Sequence, residues 1–274
     1  MLTFRDLSGS LQRLDVPRTA PVIVHASLSS FGEEIRGGAE TLLGALLACT
    51  AGLMIPAFTY KTMIIPEAGP PNNGIAYGSG RDLNRQAVFF TPGMPADRLM
   101  GRLSEAVLLH PSARRSEHPI LSFAGIHVEQ ALLFQSIAHP LAPIEALAEM
   151  DGWVILAGVD HTVNTSLHLA ELRAGRKQFL RWALTSTGVV ECPGFPGCSD
   201  GFERASPSLA EITRTVTIGG AVVRALPLQP MISMITDWIR SDPLALLCRR
   251  SECERCDAVR KAVILSQPPA GGTR

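Results

Sequence analysis

The sequence predicts an α/β fold, a single domain with a central mixed sheet flanked by helices. Three observations carry that expectation. Short apolar runs at residues 21–25, 53–56, 122–126 and 153–159 are bounded by turn residues, as buried strands are. Helical patterns separate these runs, and a strand, turn, helix, strand series is the signature of parallel pairing. Residues 181–190 and 213–226 instead alternate apolar and polar side chains, which suits antiparallel strands.

The elements follow in order. Residues 2–14 carry spaced apolar side chains and read as a short helix. The strand at 21–25 runs into a polar turn, 26–38, rich in Ser and Gly, and then a helix at 39–49. Residues 59–95 are rich in Gly, Pro and Asn and weakly periodic. That exceeds the roughly 15 residues of an ordinary loop, so the stretch is expected to be functional or to hide an element of its own. Helices are predicted at 99–109, 128–138 and 143–150, from the polar turn after residue 159 to about Gly175, and at 231–241. Residues 1–266 form the domain, with a Cys-rich segment, 192–256, packed on it, and 267–274 are expected to be disordered.

Composition bounds the function. The chain has 274 residues, 46% of them hydrophobic, enough for a sizeable core. With 25 basic and 25 acidic residues, formal net charge is +0. That gives no electrostatic case for nucleic acid or an anionic membrane, and an acidic pocket would have to be local. No apolar run approaches the roughly 18 residues of a membrane span. The N-terminus lacks the layout of a signal peptide. A cytoplasmic protein is expected, and its six Cys are then not a disulfide framework.

The densest chemistry lies at residues 160–171, just after the run at 153–159. Twelve positions hold Asp160, His161, Asn164, His168, Glu171 and three hydroxyl residues. A strand ending in a polar turn before a helix is where α/β proteins place their sites. His168 and Glu171 are three apart and share a helix face. An imidazole beside a carboxylate is a ready general base. His161 is its competitor; His168 is preferred for its orienting partner, and Asp160 is the other carboxylate that could serve.

A second polar turn, Val24 through Ser27, Ser29 and Ser30 to Gly37 and Gly38, enters a helix. Free amides at a helix start bind phosphate, and hydroxyls add donors. Its glycine spacing is neither the dinucleotide pattern nor a P-loop, and a plain capping turn is the alternative. Around His118, Arg114 and Arg115 could meet a phosphate, or the segment is a solvated turn that Pro119 keeps out of a helix. Cys198, Cys248, Cys253 and Cys256 suggest a closed structural Zn²⁺ site, with Cys192 as the substitute or spare ligand, free thiols as the alternative and disulfides third. Cys49 reads as core.

Three blocks in this order resemble the aminoglycoside 3-N-acetyltransferase, or antibiotic N-acetyltransferase, family. They are His25-Ala26-Ser27-Leu28-Ser29 with Gly37-Gly38, then Gly93-Met94-Pro95 with Arg115-Ser116-Glu117-His118-Pro119 and Ser122-Phe123, then Leu167-His168-Leu169-Ala170-Glu171. The resemblance implies an antibiotic N-acetyltransferase-like fold, not the common GNAT fold. It implies acetyl-CoA as co-substrate, the 3-amino group of a 2-deoxystreptamine aminoglycoside as acceptor, and a role in antibiotic resistance. The catalytic histidine falls on His168, oriented by Glu171 or Asp160. Ser27, Ser29, Ser30, Gly37 and Gly38 take the CoA-binding role. Thr165 is added from chemistry alone, as a hydroxyl for the tetrahedral oxyanion.

Residues 139–145 and 59–91 depart from the family pattern, which leaves the acceptor less defined than the transfer chemistry. A thiol nucleophile needs a Cys beside a His, which these segments lack. The remaining alternative is a zinc-containing CoA-binding or scaffold protein without aminoglycoside acetylation. The expected partners are a small amine and CoA, with no nucleic acid or membrane, and a homodimer is left open.

Overall fold

The computed structural model describes residues 1–266, so the predicted disorder of 267–274 falls outside them. The chain enters through α1 (Phe4–Gln12), where Thr3 and Asp6 close a reciprocal capping box. The box satisfies amide donors that a helix start leaves open. β1 (Pro21–Ala26), α2 (Gly38–Leu47) and β2 (Gly52–Pro56) follow, close to the predicted spans. Besides short 3₁₀ turns at Tyr60–Thr62 and Arg98–Met100, the long irregular region holds β3 (Met63–Ile64) and α3 (Arg81–Gln86) before α4 (Gly101–Leu109). Next come β4 (Arg114–Arg115), β5 (Phe123–Ile126), α5 (Glu129–Leu133), α6 (Ala142–Glu149) and β6 (Trp153–Ala157). The remainder is α7 (Ser166–Arg173), β7 (Phe179–Thr185), β8 (Gly188–Phe195), β9 (Arg214–Ile218), β10 (Ala221–Pro227), α8 (Leu228–Ser241) and α9 (Glu254–Ser266).

Seven strands make one sheet in the order β4-β5-β2-β1-β6-β10-β9. Its centre is parallel, with β1 between β2 and β6. Its flanks are antiparallel, β5 on β2 and β10 on β6. The sheet is therefore mixed, as predicted. A helix separates β1 from β2, whereas two glycines join β9 to β10 and force a hairpin.

Both faces of the sheet are covered. Val22 and Val24 of β1 pack with Leu7, Leu42 and Val107 on the face of α1, α2 and α4. Ile23 packs with Leu147, Leu167 and Ile235 on the face of α6, α7 and α8. Two buried faces explain why these strands are continuous apolar runs. No helix among the described residues is long and apolar enough to cross a membrane.

Three local differences from the predicted elements stand out. The helix expected at 128–138 stops at Leu133, because the side chains of Gln135 and Ser136 bond backbone groups instead of leaving them to a helix. The hairpin β7–β8 does not join the large sheet; with β3 it forms a separate three-stranded one. β6 ends at Ala157, since Gly158 takes φ +69° and a Cβ there would lie 2.7 Å from the Ser30 Cβ.

Candidate active site

β1 and β6 run parallel, so the turns that leave them meet at one edge of the sheet. The Ser27 amide donates to the Ala157 carbonyl at 3.0 Å and ties the two turns together. A cavity of about 700 Å³ opens there, lined by Ser27, Ser29, Tyr60, Thr165, His168 and Arg255 among others. This is the crevice beyond the carboxyl ends of parallel strands where ligands of open α/β sheets bind.

His168 stands in the first turn of α7 and retains 7% exposure, on the cavity side. Its Nδ1 lies 2.7 Å from Glu171 Oε2, the contact that their spacing predicts. Glu171 Oε1 accepts from Arg176 Nη1 at 2.7 Å. Arg176 Nη2 in turn donates to the carbonyls of Pro243 and Ala245, at 2.8 and 2.7 Å. Glu171 is fully buried, and burial alone would push its carboxyl up. The bonds and charges of His168 and Arg176 outweigh that and hold it below the usual carboxylate range. A carboxylate on Nδ1 fixes the tautomer with the proton there, which leaves the Nε2 lone pair as the base. The Phe202 ring, 4.8 Å from the imidazole centroid to centroid, closes one side.

Asp160 is placed differently. Its carboxylate accepts from the amide and hydroxyl of Thr162 and caps the short helical turn His161–Val163. The carboxylate on His168 is thus that of Glu171, and Asp160 shapes the turn before it. His161 is buried at 1% exposure, its Nδ1 3.1 Å from the Asn164 amide nitrogen, and it does not line the cavity.

Of the serine turn, Ser27 and Ser29 line the cavity with their hydroxyls 3.1 Å apart. Ser30 sits behind, its hydroxyl donating to Ser27 at 3.0 Å. Gly37 and Gly38 lie outside the cavity, on a shallow depression shared with Ser29. Thr165 lines the cavity, and its hydroxyl makes no capping bond to α7.

Arg115 is not available to a phosphate. Its guanidinium donates to the carbonyls of Ala57, Pro92 and Met94 and to the Ser122 hydroxyl, bracing the loop against β5. His118 is buried rather than solvated, and its Nδ1 accepts from the amides of Ile120 and Leu121 at 3.1 and 3.0 Å.

The sequence model for aminoglycoside 3-N-acetyltransferases matches residues 23–240. The chain belongs to this family. It is 28% identical over 185 residues to the SPbeta prophage-derived aminoglycoside N(3')-acetyltransferase-like protein YokD of Bacillus subtilis, a match over 62% of this chain and 65% of that protein. It is 26% identical over 241 residues to aminoglycoside N(3)-acetyltransferase III of Salmonella sp, covering 78% of this chain and 82% of that one. The apoenzyme structure of aminoglycoside acetyltransferase AAC(3)-IVa superposes with a TM-score of 0.75 at 25% identity, over 95% of this chain and 97% of that one. The architecture is therefore that of the antibiotic N-acetyltransferases, not the GNAT fold.

Within that family frame, the cavity holds groups to which sequence alone assigns no role. His25 lines it with Nε2 buried and without a partner; burial and the nearby His161 push its pKa down to about 3, so it is neutral. Tyr60 is pushed up to about 12 by burial and stays a phenol donor. No local pattern marks Arg255, a cavity residue embedded among the cysteines, or Arg176, which stands behind the cavity just past the end of α7. No Cys lines the cavity among the described residues, so nothing there supports a thiol nucleophile.

The four cysteines singled out by spacing do meet. The Sγ atoms of Cys198, Cys248, Cys253 and Cys256 all lie within 4.8 Å of one another, and all four residues are buried. Tetrahedral thiolates on zinc stand about 3.8 Å apart, so the cluster needs little contraction to hold the ion. The Cys248 amide donates to Cys256 Sγ at 3.3 Å, and Arg250 Nη2 lies 4.0 Å from Cys198 Sγ. Such N–H···S contacts are the outer shell that thiolate sites use. Cys192 is not part of the group; its Sγ faces the Val190 carbonyl at 3.8 Å, and burial raises it to about 12. Cys49 is buried in the core, as expected, and all six cysteines are unbridged.

Proposed function

We propose that the protein transfers the acetyl group of acetyl-CoA directly to a primary amine, with His168 as general base. The acceptor that family membership favours is the 3-amino group of a 2-deoxystreptamine aminoglycoside. The observation that carries this reading is the buried Glu171–His168 pair opening on a cavity beside the Ser27 turn. In the transfer, the neutral amine nitrogen attacks the thioester carbonyl while His168 Nε2 takes its proton. A C–N bond forms, the tetrahedral oxyanion collapses and the C–S bond breaks. CoA thiolate leaves, and the proton held by His168 returns to the sulfur. Glu171 stabilises the transient imidazolium. Thr165, or a backbone amide of its turn, donates to the oxyanion in this reading.

The test is a panel of amines with acetyl-CoA, including 2-deoxystreptamine antibiotics and simple diamines. Free thiol and acetylated amine are expected in equal amounts with at least one primary amine. Tight acetyl-CoA binding without turnover on any amine would favour the scaffold alternative.

We further propose that Cys198, Cys248, Cys253 and Cys256 hold one structural Zn²⁺. Four protein ligands leave no open position, so the metal takes no part in the transfer. Metal analysis of protein purified without chelator should give one zinc per chain. Cys256→Ser should empty the site and lower the thermal midpoint; a loss of only ~2 kcal/mol corresponds to about 4–8 °C at this chain length. Metal-free protein with an unchanged midpoint in that variant would rule the site out.

A further inference from the structure

One charged group in the cavity has no role in the transfer as written. Arg255 lines the wall that includes Gly197 and Asp200, and its Nη1 donates to the Gly197 carbonyl at 2.8 Å. Among the described residues it makes no ion pair; its bonds go to the carbonyls of Pro196 and Gly197. The other charged groups around the cavity are matched. Asp200 pairs with Arg250 at 2.6 Å, Arg102 faces Glu105 at 3.7 Å, and Glu171 is engaged by Arg176. Arg255 is therefore the uncompensated charge of the site.

Its position is set by the thiol cluster. Arg255 lies between Cys253 and Cys256, and its partner Gly197 immediately precedes Cys198. Both ends of the Arg255–Gly197 bond are thus fixed beside cluster ligands. Cys248, Cys253, Arg255 and Cys256 all follow residue 240, where the family match ends. These residues therefore lie outside the stretch that the family model matches.

We propose that Arg255, held in place by the four-cysteine site, anchors a phosphate group of acetyl-CoA. The inference rests on the acetyl-transfer reading. Of the two substrates, the amine is the cation, and an unpaired guanidinium in the same cavity repels it. CoA is the anion, and a planar guanidinium matches phosphate geometry with two parallel donors.

The experiment compares acetyl-CoA with acetyl-pantetheine, a thioester donor lacking phosphate, in wild-type protein, Arg255→Ala and Arg255→Lys. A charge-assisted bond is worth enough to raise KM for acetyl-CoA by roughly ten- to a hundredfold in Arg255→Ala. Because a remote contact is equal in ground and transition states, kcat should hardly move. KM for acetyl-pantetheine should be unchanged, and Arg255→Lys should recover part of the loss. Zinc-stripped wild-type protein should show the same donor-selective defect and lose it on reloading. Equal losses with both donors, or a rise in the acceptor KM instead, would overturn the anchor. Acetyl-CoA titration without acceptor separates the two readings. Wild-type protein that does not bind acetyl-CoA defeats the transfer itself, whereas equal binding by wild-type and Arg255→Ala defeats only the anchor.

Discussion

His168→Ala is expected to lower kcat by roughly two to four orders of magnitude, the usual contribution of a positioned general base. Acetyl-CoA should still titrate with nearly wild-type affinity. The reason is local. The imidazole meets the protein through Glu171 and the Phe202 ring, and neither contact builds the Ser27 turn. The Glu171–Arg176 pair also survives the substitution, so the fold should persist. His25 cannot take over, because burial and the nearby His161 disfavour its protonated form and its free nitrogen is buried. A variant that kept the wild-type rate with a good acceptor would remove His168 from the mechanism.

Glu171→Ala is the second large effect, on stability as well as rate. It leaves the Arg176 guanidinium buried without a carboxylate. Breaking a buried pair from one side costs about 3–5 kcal/mol. Glu171→Gln preserves the shape and should cost less stability. It offers His168 an amide that can present either atom to Nδ1, so the tautomer is no longer enforced and kcat should still fall by at least about 10².

The pair also predicts an acid response. An unfolded Glu titrates near about 4.3, and the folded Glu171 lies lower. Its stabilising contribution is therefore complete above the unfolded value and is lost as pH falls through the folded one. Thermal midpoints measured downward from pH 6 should drop in wild-type protein and drop less in Glu171→Gln. Parallel acid limbs would show that Glu171 is not the group responsible.

Sequence legibility divides along physical lines. β1, β2 and β6 could be read because burial on both faces leaves unbroken apolar runs. The His168–Glu171 contact could be read because helix geometry turns a spacing of three into adjacency. Arg176 and Arg255 could not, since each reaches its place through tertiary packing that no local period encodes. Asp160 stayed open beside Glu171 as a carboxylate near a histidine; the bond from Glu171 to His168 and the cap of Asp160 on Thr162 separate them. The cysteines show both sides. Spacing found the four that meet, while the strand geometry of β8 removed Cys192 from contention.

The tether from Arg176 to the carbonyls of Pro243 and Ala245 has a consequence for biosynthesis. Every strand of the large sheet precedes those residues in the chain, as does His168. During vectorial synthesis the scaffold can therefore collapse before the group that steadies Glu171 has its own supports, and before Arg255 exists at all. Catalytic competence then arrives as a late event, separate in time from the folding of the sheet that carries it.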